Sequence, residues 1–378
     1  MDIVIIPKCS SSDSDSNHDD HANKNANFAL VLSQDLMFHI FTLIPPKCLL
    51  SSVRYVCKPW ADAIASSHFA EACQCSHARS KPGLYVENHK SHINSYFLEF
   101  KDDVNGRFER TELGTPKSMG CVVGSCDGIL LLSSSDKQLF VVNPGLKWWL
   151  RIPPLPASKG FSHRCTIARV PRTAKFKLFF VDVHMYLGAF WYVFYVLRVG
   201  IDNSWKEIAR KQAPLRYYLS WKPLCRGDND LYWMTIEGII VMDVDKEIIV
   251  REYLFHGPPI KYLWMENHLS CIMSNDSYRT YRIYSLDFDS GKWSLYHKMG
   301  PFDYMAACGR NLNTEPVIFS LWIKDQIIFR VGLSNNPDKI ENMYFGYNVK
   351  TKQLSKIEDI DAGDFEVWLH TNSLVSLR

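Results

Sequence analysis

One short formula returns along most of this chain: an apolar strand closing beside Asp or Asn, a tight turn, then a second strand opening on an aromatic or aliphatic residue. It occurs at Leu98-Glu99-Phe100 before Asn105-Gly106, Val142-Asn143 before Trp148, Ile201-Asp202 before Trp205, Met242-Asp243 before Ile248, Leu286-Asp287 before Trp293, and Tyr347-Asn348 before Leu354. The turns fall near positions 106, 145, 204, 245, 291 and 351, a mean spacing of 49 residues. All-strand units at this period, with no helical stretch between them, predict propeller blades of four strands each. Residues 81–378 hold six such blades, or seven if the two widest intervals hide one. A β-sandwich is the alternative, but its strands do not repeat in units this long. The strand-like run from Val367-Trp368-Leu369-His370 to Leu374-Val375-Ser376-Leu377 needs an edge to pair with. Pairing near Leu84-Tyr85-Val86 would complete a blade and close the ring.

The front of the chain follows a different period. Residues 10–27 hold five Ser, four Asp, four Asn and two His with no large apolar side chain, so 1–27 reads as a disordered tail that has nothing to offset ordering entropy. Within 28–72, Leu36, Ile40, Leu43 and Ile44 recur at helical spacing, and Pro45-Pro46 ends that segment. Leu49, Leu50, Val53, Val56, Cys57, Trp60 and Ile64 continue it, with Pro59 marking a joint, so three short helices are expected. A unit of about 40 residues seldom buries enough surface to stand alone, so its apolar area must find a partner. Residues 73–80 read as a linker. The fold class expected is therefore α+β and multidomain: a small three-helix unit, then an all-β propeller.

Charge and cysteine usage exclude several functions. Lys plus Arg is 43 against 40 for Asp plus Glu, too even for binding dominated by nucleic acid or another polyanion. The longest apolar run, from Met185 to Leu197, is 13 residues where a spanning helix needs roughly 20, so no membrane role is expected. Gly188 reads as a break between two strands inside that run. With 11 cysteines and no secretory leader at the start, the thiols are expected reduced, in cytoplasm or nucleus.

Several motifs are decoys. Gly124-Ser125-Cys126-Asp127-Gly128 has the spacing of a nucleophile elbow, but a strand-like run follows where the elbow needs a helix. Cys73, Cys75 and His77 could face a metal with Cys9 or His68 as the fourth ligand, but the Cys spacing is narrow, no second pair stands out, and no phosphate-binding glycine motif or zinc-protease motif occurs, so no metal and no cofactor is expected. Trp148, Trp149, Trp205, Trp233, Trp264 and Trp293 recur at blade positions and are expected in the core, not stacking on bases or sugars. Target contacts are assigned to aromatic or basic stretches between blade strands: His163-Arg164, Tyr217-Tyr218, and Tyr262 with Trp264.

The ordered set Leu32-Ser33-Gln34-Asp35-Leu36, Ile40, Leu43, Pro45-Pro46, Leu49-Leu50, Val53, Val56-Cys57-Lys58 and Trp60 resembles an F-box. Downstream, Gly124 to Leu132, Asn143-Pro144 with Ile152-Pro153-Pro154-Leu155-Pro156, Leu231-Tyr232-Trp233, and 373–377 resemble the F-box-associated or kelch-like propeller of plant F-box proteins. That resemblance implies a substrate receptor of an SCF ubiquitin ligase. The F-box would dock on the Skp adaptor, and through it on the cullin and RING subunits, while the propeller holds the protein to be ubiquitylated. It assigns Leu32, Ser33, Leu36, Ile40, Pro45, Pro46, Leu49, Leu50, Val53, Cys57, Lys58 and Trp60 to adaptor contacts or to the helices that make them. The family carries Pro where this chain has Ser33, which predicts a weaker first contact, and Pro59 is an unusual neighbour for Trp60. Such a receptor is not itself an enzyme: it raises the effective concentration of a target lysine near a loaded enzyme. The competing classes are a propeller enzyme or carbohydrate-binding module with an incidental helical front, and a non-catalytic scaffold.

Overall fold

The computed structural model describes residues 33–66, 68–69, 72, 83–88, 95–100, 108–112, 119–156, 164–213, 223–225, 229–235, 237–255, 259–275, 279–312, 316–336, 339–358, 360 and 365–371. The expected tail and linker, Leu32, His163, Tyr217, Tyr218, the run 373–377, and Cys73, Cys75 and His77 lie outside these residues.

The described strands, β1 to β24 in chain order, form six four-stranded antiparallel sheets. Blades 2 to 6 each take four consecutive strands. Blade 1 joins the two ends of the wheel: β24 (Phe365–His370) pairs with β1 (Gly83–Asn88) from Gly83↔His370 to Asn88↔Phe365. The pairing that the terminal strand required is thus made, with Leu84↔Leu369, Tyr85↔Trp368 and Val86↔Val367. The innermost strands are β24, β4 (Cys121–Cys126), β8 (Cys165–Arg169), β12 (Leu224–Cys225), β16 (Lys261–Met265) and β20 (Val317–Ile323), and neighbouring blades touch along them.

The described residues make six blades, not seven. The wide sequence intervals are filled by long hairpins: β9 (Phe176–Tyr186) with β10 (Ala189–Arg198) in blade 3, and β21 (Gln326–Asn336) with β22 (Lys339–Asn348) in blade 6. The recurrent Asp or Asn has a local cause, since its side chain accepts backbone N–H groups of the turn between the third and fourth strands. Asn143 Oδ1 accepts from Leu146 at 3.1 Å, Asp243 Oδ1 from Lys246 at 2.7 Å, and Asn348 Oδ1 from Lys350 and Thr351 at 2.9 Å. Lys147, Glu247, Gly291 and Lys352 then take positive φ of 52 to 68°, which turns the chain into the last strand.

Six apolar clusters fill the spaces between successive blades, one per interface. Polar bridges supplement them. Trp205 Nε1 donates to the Pro153 carbonyl at 3.1 Å, Trp293 Nε1 to the Leu254 carbonyl at 3.3 Å, and Lys177 Nζ to the Val244 carbonyl at 2.8 Å while pairing with Glu247. Trp233 is in the core as expected. Trp149 is a correction: strand residues alternate faces, so on the outer strand Trp148–Arg151 Trp148 packs on the blade 2–3 cluster whereas Trp149 is exposed beside Phe140.

The front folds as α1 (Gln34–Leu43), α2 (Pro46–Ser51), a single 3-10 turn (Val53–Tyr55) and α3 (Lys58–Ile64). Pro46 opens α2 and Pro59 sits in the first turn of α3, where a missing N–H costs nothing. Phe41, Leu49, Ile64 and Phe69 are buried and continuous with the cluster between blades 2 and 3, so the helices seat on the wheel itself.

Candidate functional site

Two surfaces are left to act on other molecules. The first is the outer face of α1. Ser33 caps this helix, its Oγ accepting the Leu36 N–H at 3.2 Å, so Ser here does a job that proline at this position would do only by fixing φ. Met37, Phe38, Phe41 and Ile44 turn inward, where Phe41 meets Trp60 edge-on at 5.0 Å and Phe38 stacks on His68 at 4.8 Å. The opposite face carries Leu36, Ile40 and Leu43, exposed to 48%, 39% and 67%, at i, i+4 and i+7. Tyr55 and Val56 are exposed as well, with the Arg54 guanidinium over the Tyr55 ring.

The residues nominated for adaptor contact therefore divide. Leu36 and Ile40 present apolar surface, and Ser33, Pro45 and Lys58 are exposed. Leu49 is fully buried, while Leu50, Val53 and Trp60 pack partly buried on the same cluster, so these four shape the unit and Leu49 offers a partner nothing. Cys57 is half-buried at the start of α3; Pro46 lies in α2, its side chain outside the description.

The second surface is the central channel and the mouth where the inner strands begin. A cavity of about 460 Å³ is lined from all six innermost strands, by residues including Ser125, Thr166, Cys225, Trp264, Ser320 and Trp368. Lys261, Arg330 and Glu366 bring charge of both signs to it. Tyr262 and Trp264, both nominated as target contacts, belong to this lining, and the Tyr262 ring is buried between blades 4 and 5, where burial pushes its hydroxyl pKa up. Arg164 immediately precedes β8 at the mouth, with Asp182 at 3.8 Å and His184 bonded in turn to Asp182 at 3.2 Å. Tyr192, beneath them, is pushed up to about 12 by burial, with Glu237 adding to the shift and Arg164 opposing it.

Arg164, just before β8, and the β9–β10 hairpin lie at the end of the wheel where the inner strands begin. Because Cys165 pairs with Phe180, residues 181–186 overshoot the inner strand of blade 3, by roughly 20 Å at ~3.3 Å per residue. Their tip, Met185, Tyr186 and Leu187, is exposed. Sequence reading missed Lys261, Arg330, Glu366 and this tip. The first three were findable as members of strands opening or following a blade boundary, whereas the tip was hidden inside an apolar run that reads as core.

Among the described residues no group of three or more His, Cys, Asp or Glu gathers as a metal site, and no helix is long and apolar enough to cross a membrane. No family model matches the chain. F-box protein At3g26010 of Arabidopsis thaliana is 29% identical over 122 residues, which cover 29% of this chain and 27% of that protein, so the match spans about a quarter of the relative's length. Among solved structures, oligogalacturonate lyase from Vibrio parahaemolyticus matches 70% of each chain at 10% identity with a TM-score of 0.42. TolB from Acinetobacter baumannii matches 80% of this chain and 71% of its own at 8% identity, TM-score 0.45. A chain of a nidogen/laminin complex matches 77% and 99% at 10% identity, TM-score 0.45. Scores this low leave the fold resting on the sheet topology itself: a six-bladed all-β propeller, preceded by short helices, with a local likeness to an F-box protein.

Proposed function

We propose that this chain is the target-binding subunit of an SCF-type ubiquitin ligase, docking on a Skp adaptor through α1 and holding a protein target at the propeller mouth. The observation that carries it is the double-sided apolar character of α1: one face is spent on the wheel, and Leu36, Ile40 and Leu43 remain bare on the other. Covering three such side chains is worth on the order of 5 kcal/mol, a reason for a helix-binding partner to seat there. The partial likeness to a plant F-box protein supports the same reading. In it the chain performs no bond chemistry; partner subunits transfer ubiquitin, and the wheel supplies proximity.

Co-expression with a Skp adaptor tests the proposal. A stable complex is expected, and Leu36→Asp with Ile40→Asp abolishes it while leaving the melting midpoint of the isolated chain unchanged, since both side chains already face solvent. Leu49→Asp acts as the contrast, disordering the helices because that side chain is buried. Full adaptor binding by the doubly substituted chain would overturn the docking role.

A further inference from the structure

The second strand of blade 3 outruns the inner strand that covers it. β8 pairs with β9 only as far as Cys165↔Phe180 and lies on the channel side of β9, so residues 181–186 turn an uncovered edge towards the space above the channel mouth. The opposite edge of β9 is fully used, paired with β10 out to Tyr186↔Ala189. Hydrogen bonding fixes which residues address the free edge. The Phe190 carbonyl accepts the Ala213 N–H at 2.8 Å, so Phe190 directs its backbone groups towards the outer strand β11 (Lys206–Gln212) and away from its partner Met185. Met185 then directs its own N–H and C=O away from β10, and Val183 and Val181 do the same, because the direction alternates along a strand. At the other end of the hairpin the Phe176 carbonyl accepts from Val199 at 3.0 Å, which gives the same parity. Among the described residues nothing pairs with this edge. The geometry recurs in blade 6, where β20 first meets β21 at Val317↔Val331 and leaves 332–336 beyond it. Blades 3 and 6 are three apart in a ring of six, so the two uncovered edges face each other across the mouth.

We propose that the free edge of β9 takes an extended segment of the target protein as an added strand, which bonds to the N–H and C=O groups of Val183 and Met185 above the mouth. This rests on the reading that the mouth holds a protein target, and names how it does so; docking by α1 plays no part in it. Backbone groups along a strand edge are matched in number and spacing by another extended backbone. The side chains add a preference. Val183 and Met185 share one face of the hairpin with Phe190, and Val183 and Phe190 pack on the cluster joining blades 3 and 4, while Met185 is 72% exposed. The other face carries Asp182 and His184, bonded at 3.2 Å, with Arg164 at 3.8 Å from Asp182. A segment with apolar residues at alternate positions therefore lays them against Val183 and Met185 and turns the intervening ones to the polar face. The exposed Tyr186 and Leu187 extend the apolar surface at the tip. Because the edge faces inward, opposite the long hairpin of blade 6, the space admits a single slender chain more readily than a second wheel.

A display library of random dodecapeptides is selected on the full chain, and the retained peptides are synthesised. Sequences with apolar residues at alternate positions are expected. N-methylation of one alternate set of their amides weakens binding roughly tenfold or more, whereas methylation of the other set leaves it unchanged, a pattern that side-chain packing alone does not produce. Met185→Pro deletes an edge N–H at a position where proline is tolerated and weakens binding as strongly, while Met185→Ala keeps that N–H and weakens it less. In the unaltered chain, hydrogen exchange at the Val183 and Met185 amides is fast when free and slowed by the peptide. Failure to retain any peptide, binding indifferent to the methylation pattern, or slow exchange at both amides in the free chain overturns the proposal. So does self-association of the chain, or binding to phosphatidylcholine vesicles, that Met185→Pro abolishes, since the edge or its tip then belongs to a second copy or to a lipid surface. Complex formation with a Skp adaptor is read separately, so an intact complex beside any of these failures strikes the mode of target capture and not the docking role.

Discussion

His297 shows how blade packing reaches single side chains. On the outer strand of blade 5 its Nε2 lies 3.1 Å from the Tyr347 hydroxyl of blade 6, and burial, with the nearby Lys352 charge, lowers its pKa below the ordinary 6.5. A histidine so depressed is neutral in the folded wheel at a pH where the unfolded chain has begun to bind a proton. Its contribution to stability is therefore complete above the unfolded pKa and is lost as pH falls through the folded one. Between about pH 7 and pH 5, the melting midpoint of the natural chain should fall more steeply than that of His297→Gln, which keeps a polar partner for Tyr347 and does not titrate. Parallel thermal melts across that window check this, and superimposable slopes would show that the histidine carries no linkage. Asp287 is also lowered from its usual range, here for a local reason that favours the charged form: the Ser290 hydroxyl and the Asp289 N–H bond its carboxylate.

At the scale of elements, the β9–β10 hairpin is the place where local preference is overridden. Its two-residue turn puts Leu187 at φ 50° and Gly188 at φ 77°, both in the left-handed region, and Leu187 is 87% exposed. Glycine accepts that backbone freely; leucine pays a steric cost of about 1 kcal/mol and gains no burial in return. Asn-Gly is the preferred pair for such a turn. Leu187→Asn should accordingly stabilise the chain by up to about 1 kcal/mol, read as a higher urea midpoint with an unchanged slope. A fall in stability would mean that the leucine makes contacts worth more than its strain. The local sequence explains the fourth-strand turns well, because Asn143, Asp243 and Asn348 bond to N–H groups within three residues of themselves.

At the scale of the molecule, the ring closes through one strand. β24 is the innermost strand of blade 1, carries Trp368 into the cluster with blade 2 and Val367 into the cluster with blade 6, and contributes four residues to the channel wall. A chain ending at residue 364 would expose the edge of β1 and open two interfaces at once. It should lose its cooperative thermal transition, followed by tryptophan fluorescence and near-ultraviolet circular dichroism. A sharp transition at the natural midpoint would show that the wheel holds without its closing strand.

What the amino-acid order determined by itself is what acts over short distances: the period of the blades, the Asp and Asn turns, the helical front, and the strand looking for an edge. Each rests on alternation, turn chemistry or proline placement within about ten residues, the period being the recurrence of one such local signal along the chain. Tertiary structure decided the rest. The count of six followed from two hairpins being long, not from an extra blade; Leu49 turned inward and Leu36 outward because the wheel covers only one side of α1. The channel wall arises where strands from separate blades converge. Such convergence depends on how the whole ring closes, and no local pattern of residues encodes it.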